Sequence, residues 1–269
     1  MATEKAALIP LTNTGWSAGF GNLFRREAFA WYGTRYGLIH LLMWIIIING
    51  LMAIIITTAG EDLAPDQTIV QAGIEPFVGI TAWFTAIGIA VVAMGAIVGE
   101  KQSGTAAWIM SAPVSRSAFL VSKLVVTGIG GITTMILIPG VLAFLEFTFI
   151  PAAAESGEVS LLPWLGALGA MSLVVLFYLS LTIFLGTMFS SRGAVVGIPI
   201  GVFFMGLFIT GSLPEFIANL TPYTLTTPLA MDLADETRTV SSVVPVLATL
   251  VWIAAFAAGG IWRFRREEL

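Results

Sequence analysis

An all-α polytopic membrane protein with six transmembrane helices is the fold class this sequence predicts; composition, long apolar runs and the placement of basic residues all point there. Of 269 residues, 57% are hydrophobic and only 10% are charged. A soluble domain carries roughly 25% charged residues to wet its surface, so most of this surface faces something other than water. The mean hydropathy of +0.95 identifies that medium as lipid.

Six runs reach the length of about 18 residues or more that crosses a hydrocarbon core. They are 38–58, 77–98, 124–150, 161–189, 194–213 and 243–262. The first reads LIHLLMWIIIINGLMAIIITT and holds no acid or base. The runs are apolar nearly all round, as lipid-facing or buried helices are, so a 3.6-residue period is hard to see. Together they account for about half the chain, and the remainder is too short for a large soluble domain. The economical division is an N-terminal region over 1–37, one membrane domain over 38–262 and a short tail over 263–269. The first 37 residues hold no apolar core ahead of a small-residue cleavage site, so the first span is expected to be a retained anchor. Cysteine is absent, which excludes disulfides and thiolate metal sites and leaves the redox compartment open.

Orientation follows from Lys and Arg. With a cytoplasmic N-terminus, Lys5, Arg25, Arg26, Arg35, Lys101, Arg116, Lys123, Arg192, Arg263, Arg265 and Arg266 fall inside and only Arg238 falls outside. Glu61, Asp62, Asp66, Glu75, Glu155, Glu158, Glu215, Asp232, Asp235 and Glu236 then collect outside. The expected location is the cell (plasma) membrane, multi-pass, with both termini cytoplasmic. The net charge of -4 hides a molecule that is basic inside and acidic outside. The acidic face is either a set of solvated loops or an attractor of cations.

Ahead of the first span, GWSAGFGNLFRREAFAWYGTRYG is neither a span nor a polar tail. Trp16, Phe20, Leu23, Phe24 and Trp31 fall near one helical face, while Arg25, Arg26 and Glu27 project elsewhere. This predicts an amphipathic helix lying in the inner headgroup region, where Trp and Tyr are favoured. A simple anchor and a part in gating both fit.

Residues 99–123, GEKQSGTAAWIMSAPVSRSAFLVSK, form the first cytoplasmic loop, and a mere connector could be much shorter. Thr105 to Met110 can form a short helix that starts at Gly104 and ends before Pro113. With Trp108, Ile109 and Met110 apolar and Glu100, Lys101 and Arg116 around them, that helix has a shape for docking another protein. A loop that only packs is the alternative. Glu100, at the cytoplasmic end of a span, is expected to be reached by water.

Glu100, Gly104 and Thr105 (Glu-x-x-x-Gly-Thr), a hydrophobic stretch, Pro113-Val114-Ser115-Arg116 and Lys123 at the head of the next span resemble the first cytoplasmic loop of ABC-2 type transporter permeases. The six spans, the cytoplasmic termini and the helix in NLFRREAFAWYGTRYG are similar to the family plan, so the resemblance covers nearly the whole chain. It implies the membrane subunit of an ABC exporter. That subunit works as a homodimer, or with a related permease, beside two ATP-binding subunits that hold ATP and Mg. It also implies that the loop helix is a coupling helix, with Glu100, Lys101, Gly104, Thr105, Trp108, Pro113, Arg116 and Lys123 coupling to the ATPase.

A chain that hydrolysed ATP itself would need Gly-x-x-x-x-Gly-Lys-Ser/Thr to cradle phosphates. That motif does not occur, and VGEKQSGT has the wrong order and follows a span. The chain is therefore expected to be no enzyme and to hold no cofactor. The single His40, without cysteine or a nearby carboxylate, cannot build a usual zinc site and reads as an interfacial or helix-contact histidine. No metal site and no nucleic-acid partner are expected; membrane lipid is the remaining partner. Glu146 lies about 23 residues into the third span, near its outer boundary at ~1.5 Å per residue, so an outer-vestibule or snorkelling role ranks ahead of a proton relay. Asn49, mid-way along the first span, hydrogen-bonds across helices by default or touches cargo.

In GAVVGIPIGVFFMG, Gly193, Gly197 and Gly201 clear one face of the fifth span for close helix approach, and Pro199 is expected to kink it. The resemblance implies that the first and fifth spans line the dimer interface and export path, which makes Asn49 and this stripe candidates for the seam. Packing inside one protomer fits the sequence equally. Between the fifth and sixth spans, Pro214, Pro222 and Pro228 break PEFIANLTPYTLTTPLAMDLADETRTV into short pieces. There the resemblance implies an outer re-entrant segment. The Asn219-Leu220-Thr221 sequon, beside the membrane and followed by Pro222, reads as incidental. Two functions remain: an exporter permease moving a lipid, glycan, peptide or drug-like cargo, or a mechanical or scaffold subunit passing ATP-driven motion to an extracytoplasmic partner.

Overall fold

The computed structural model describes residues 15–58, 68–150, 159–225 and 243–267, and among them every regular element is helical. A short helix α1 (Phe20–Tyr32) precedes α2 (Arg35–Thr58). Then come α3 (Ile69–Ala93) and α4 (Gly95–Gln102), separated by the single residue Met94. The loop helix is α5 (Thr105–Met110), and α6 (Arg116–Gly131), a π-helical turn (Ile132–Leu137) and α7 (Ile138–Phe149) make one rod. The chain continues with α8 (Leu161–Met188), α9 (Arg192–Ile209), the single turn α10 (Glu215–Ala218) and α11 (Val243–Arg265).

Six helical stretches are long and apolar enough to cross a membrane: Arg35–Thr58, Ala72–Gln102, Arg116–Phe149, Leu161–Met188, Arg192–Ile209 and Val243–Arg265. The count matches the sequence reading, but the ends differ. The third rod starts eight residues before the expected 124, because the Ser115 hydroxyl caps it by accepting from the Ala118 amide at 3.0 Å. An N-cap of this kind satisfies orphan donors in water as well as in lipid, so a helix outruns its apolar stretch. The fifth span ends earlier than expected, at Ile209, ahead of Gly211 and Pro214. Pro199 lies inside α9 without ending it.

The middle of the bundle is α8, which is the most buried span, packs against α3, α6, α9 and α11, and presents Trp164, Met171, Val175 and Tyr178 to the core. Its apolarity all round is what such a position requires. The π turn falls just before Pro139, whose ring nitrogen has no hydrogen to return to the preceding turn. In contrast, α9 and α11 leave large apolar side chains uncovered, among them Met205, Phe208, Leu247 and Val251.

Beyond Ile209 the chain folds back. The Tyr223 hydroxyl donates to the Val202 carbonyl and lies 3.3 Å from the Tyr178 hydroxyl, while Trp252 Nε1 donates to Leu220 O at 3.0 Å. Gly206 makes this possible, since a Cβ there would run into the Tyr223 ring. Burial pushes the Tyr223 phenol up from its usual value. Of the outer stretch that carries three prolines, Pro228 lies outside the described residues.

Candidate functional site

One end of the bundle gathers the basic residues and the loop between the second and third spans. The chain leaves α4 through Gly104, whose φ of +72° is the left-handed conformation that glycine adopts without strain, and enters α5 at Thr105. Ser103 Oγ and Thr105 Oγ1 are 2.8 Å apart across this turn. The short helix is two-faced: Ala106 and Ile109 are buried, Met110 packs on the core and Trp108 is 75% exposed. After the exposed Pro113, Ser115 donates its amide to Ala18 O at 3.0 Å and its hydroxyl to the Trp16 carbonyl. Gly19, with φ +79°, lets the start of α1 pass under Val114. The stretch before α1 is thus pinned to the return of the loop.

The flanks of the loop are fixed by charge. Lys123 on α6 has a side chain only 3% exposed, and its Nζ lies 2.7 Å from Glu100 Oε1 on α4 and 3.1 Å from Glu27 Oε1 on α1. Arg26 approaches Glu100 at 3.7 Å, so two acids face two cations. On the other flank, Lys101 Nζ meets Glu267 Oε1 at 2.7 Å and donates to Gly186 O at 3.3 Å. Gln102 Nε2 donates to Ser190 O at 2.8 Å, just past the end of α8. Arg116 donates to the carbonyls of Phe264, Arg265 and Glu267, where the free carbonyls at the C-terminus of α11 attract a cation. Rings of Phe119 and Phe264 stack at 5.4 Å beside it. The Arg192 guanidinium packs over Gly99, tying in the start of α9.

The loop residues singled out in the sequence therefore divide. Gly104 and Thr105 shape the turn, Pro113 marks the bend, and Glu100, Lys101, Arg116 and Lys123 point inward as braces; Trp108 projects. Glu100 is not the water-exposed group expected: its Oε2 is buried without a partner, and its Oε1 is held by Lys123. Sequence reading missed Glu27, Gln102, Ser115 and Glu267 as braces. The usable signal was an acid directly after Arg25-Arg26 and another after Arg265-Arg266.

Away from the loop, the α2–rod contact gathers several polar groups of the apolar region. Trp44 Nε1 donates to His40 Nε2 at 3.1 Å, which leaves the proton on Nδ1, 3.0 Å from Thr134 Oγ1 in the π turn. Thr134 passes its own proton to Gly130 O at 2.8 Å. His40 is thus a helix-contact histidine with both nitrogens engaged, one of the two roles that the sequence reading leaves open. Asn49 Nδ2 donates to Pro139 O at 2.9 Å, a cross-helix bond, and the same amide lies against the Glu146 carboxyl. Glu146 and Asn49, read separately from sequence, form one site. Among the described residues the glycine stripe is unfilled: a Cβ on Gly197 or Gly201 would meet nothing within 4 Å, and one on Gly193 only Ser191 Oγ at 3.7 Å.

A bundle of six helices long and apolar enough to cross a membrane, with a braced loop at its basic end, is a multi-pass membrane protein. Residues 48–269 match the model of the ABC-2 family transporter protein, and the chain belongs to that family. It is the membrane-spanning permease subunit of an ABC transporter, a class that works with a separate ATP-binding partner. A similar protein is the uncharacterized transmembrane protein YxlG of Bacillus subtilis (strain 168), 28% identical over 207 residues that cover 73% of this chain and 75% of the relative.

Replacing Lys123 by Met removes the buried cation between the part-buried Glu27 and Glu100 and leaves them only Arg26, 3.7 Å from Glu100. Removing one partner of a buried pair costs about 3–5 kcal/mol, far more than the pair itself contributes. Thermal unfolding of the purified chain should fall steeply for Lys123→Met, while Trp108→Ala stays within about 0.5 kcal/mol of the native chain. Equal midpoints for Lys123→Met and the native chain would remove the brace from the fold.

Proposed function

We propose that the chain is one half of the membrane domain of an ATP-driven exporter, that its basic end faces the cytoplasm, and that α5 docks an ATP-binding subunit through Trp108. The observation that carries this reading is the division of labour in the loop. A large aromatic is left 75% exposed on a six-residue helix whose charged flanks are engaged by the body of the protein. A free, rigidly presented tryptophan is the kind of residue that anchors interfaces. A push on α5 is passed through Glu100 and Lys123 to α1 and the third span, and through Lys101 and Arg116 to the end of the sixth. ATP and Mg belong to the partner; this chain's part is mechanical. The fold-back at Tyr223 supports a re-entrant outer segment, because Val202 lies about ten residues, ~15 Å, from the start of α9 at the basic end. That is near mid-membrane.

Co-expression of Trp108→Ala with the ATP-binding subunit, followed by pull-down and titration, tests the docking. Loss of an interface anchor of about 2 kcal/mol predicts roughly thirtyfold weaker association and a matching loss of permease-stimulated ATP turnover. Native affinity and native turnover would mean that the loop only packs.

A second copy of this chain is proposed to cover the Gly197–Gly201 face of α9, where Phe204, Met205 and Phe208 also stand uncovered. Small residues permit close helix approach in lipid, so Gly197→Leu should hold two copies apart. Since none of the described residues lies there, the monomer should fold normally while the dimer fraction in lipid nanodiscs drops. An unchanged dimer fraction would assign that face to lipid.

A further inference from the structure

The contact between α2 and α7 holds two buried oxygens that nothing in the described residues satisfies. Asn49 is 5% exposed, and its bond to Pro139 O fixes the amide so that Nδ2 faces that carbonyl. Its Oδ1 is left without a partner. The Glu146 carboxyl takes one hydrogen bond from the same amide, and its Oε2 is likewise buried and unpartnered. Helix geometry brings them together: side chains lean toward the N-terminus of their helix, so Glu146 drops back along α7 toward Pro139 instead of rising to the surface. Asn49 sits nine residues, about 13 Å, short of Thr58, where α2 ends. The pair is therefore within the apolar part of the span.

A carboxylate in such a place needs a cation or several donors. Among the described residues, the elements packed around α7 offer no cation there. Beyond Arg35, α2 carries no charged residue, and its titratable Tyr36 and His40 lie toward the basic end. The only acid of α3 is Glu75, which is exposed and of like charge. No charged residue occurs in α8, and its Tyr178 faces Tyr223. On the rod itself, Lys123 is 23 residues from Glu146, roughly 34 Å, and is engaged by Glu27 and Glu100.

We propose that Asn49 and Glu146 form a proton-binding site inside the membrane, in which the Glu146 carboxyl keeps a proton and sits against α2 as a neutral acid. Solvent reaches neither orphan oxygen, so a proton is the ligand that enters without parting the helices. Parting α2 from α7 wets the acid and releases that proton, so opening of this seam is linked to proton loss and its closing to proton uptake.

Infrared spectroscopy of the full chain in lipid nanodiscs at neutral pH tests this. The native protein should show the carbonyl stretch of a protonated carboxylic acid. Glu146→Gln, a neutral isostere, should lack that band and unfold at the native temperature, and Asn49→Ala should shift the band. An acid band that survives Glu146→Gln would place the proton elsewhere and overturn the proposal. The native spectrum decides even if the variant does not assemble: without an acid band at neutral pH, Glu146 is ionised and the site is not a proton site.

Discussion

Hydrocarbon cannot solvate an unpaired charge, and nearly every feature of this protein answers to that constraint. Backbone groups are satisfied within helices, so the chain crosses as six of them. Charged side chains are driven to the ends, where Lys123, Glu100, Glu27, Lys101 and Glu267 find one another instead of water. Several of the polar groups that remain inside meet across the contact between α2 and the rod: His40 with Thr134, Asn49 with Pro139, and Glu146 beside Asn49.

The cluster around Lys123 shows how a buried ion pair can organise a machine without adding much stability. Desolvation offsets most of its Coulomb attraction, yet losing either partner is costly. The arrangement is therefore stiff against separation of α1, α4 and α6. Such a brace suits the force-passing role proposed for the loop, because it ties the base of α5 to α1 and α6. Trp108, left free on that base, is the complement of the brace: it adds little to the fold and presents a ready contact.

The six spans and the loop helix were legible in the sequence because both are local signals, a run of apolar residues in one case and Gly104 with Pro113 in the other. Helix ends were less legible, since the cap at Ser115 starts α6 in a polar stretch that carries no lipid signature. Partners were hidden for a different reason. Lys123 and Glu27 are 96 residues apart, and Asn49 and Pro139 are 90 apart, so no window joins them. Glu100 looked wet because it ends an apolar run; the buried Lys123 that turns it inward could not be seen from its neighbours. Counting residues placed Glu146 near the outer boundary, and its contact with Asn49, 97 residues away in sequence, carries no local signal.

The same constraint polarises the molecule, and the whole account depends on which way it lies. The chain has no cysteine, so single cysteines can be placed without background. Ser103→Cys marks the loop and Ser160→Cys the opposite end of the bundle, at the start of α8. A membrane-impermeant thiol reagent applied to intact cells should label position 160, and should label position 103 only after the membrane is opened. Labelling of position 103 from outside, with position 160 protected, would put the braced loop on the wrong side for an ATP-binding subunit and contradict the account.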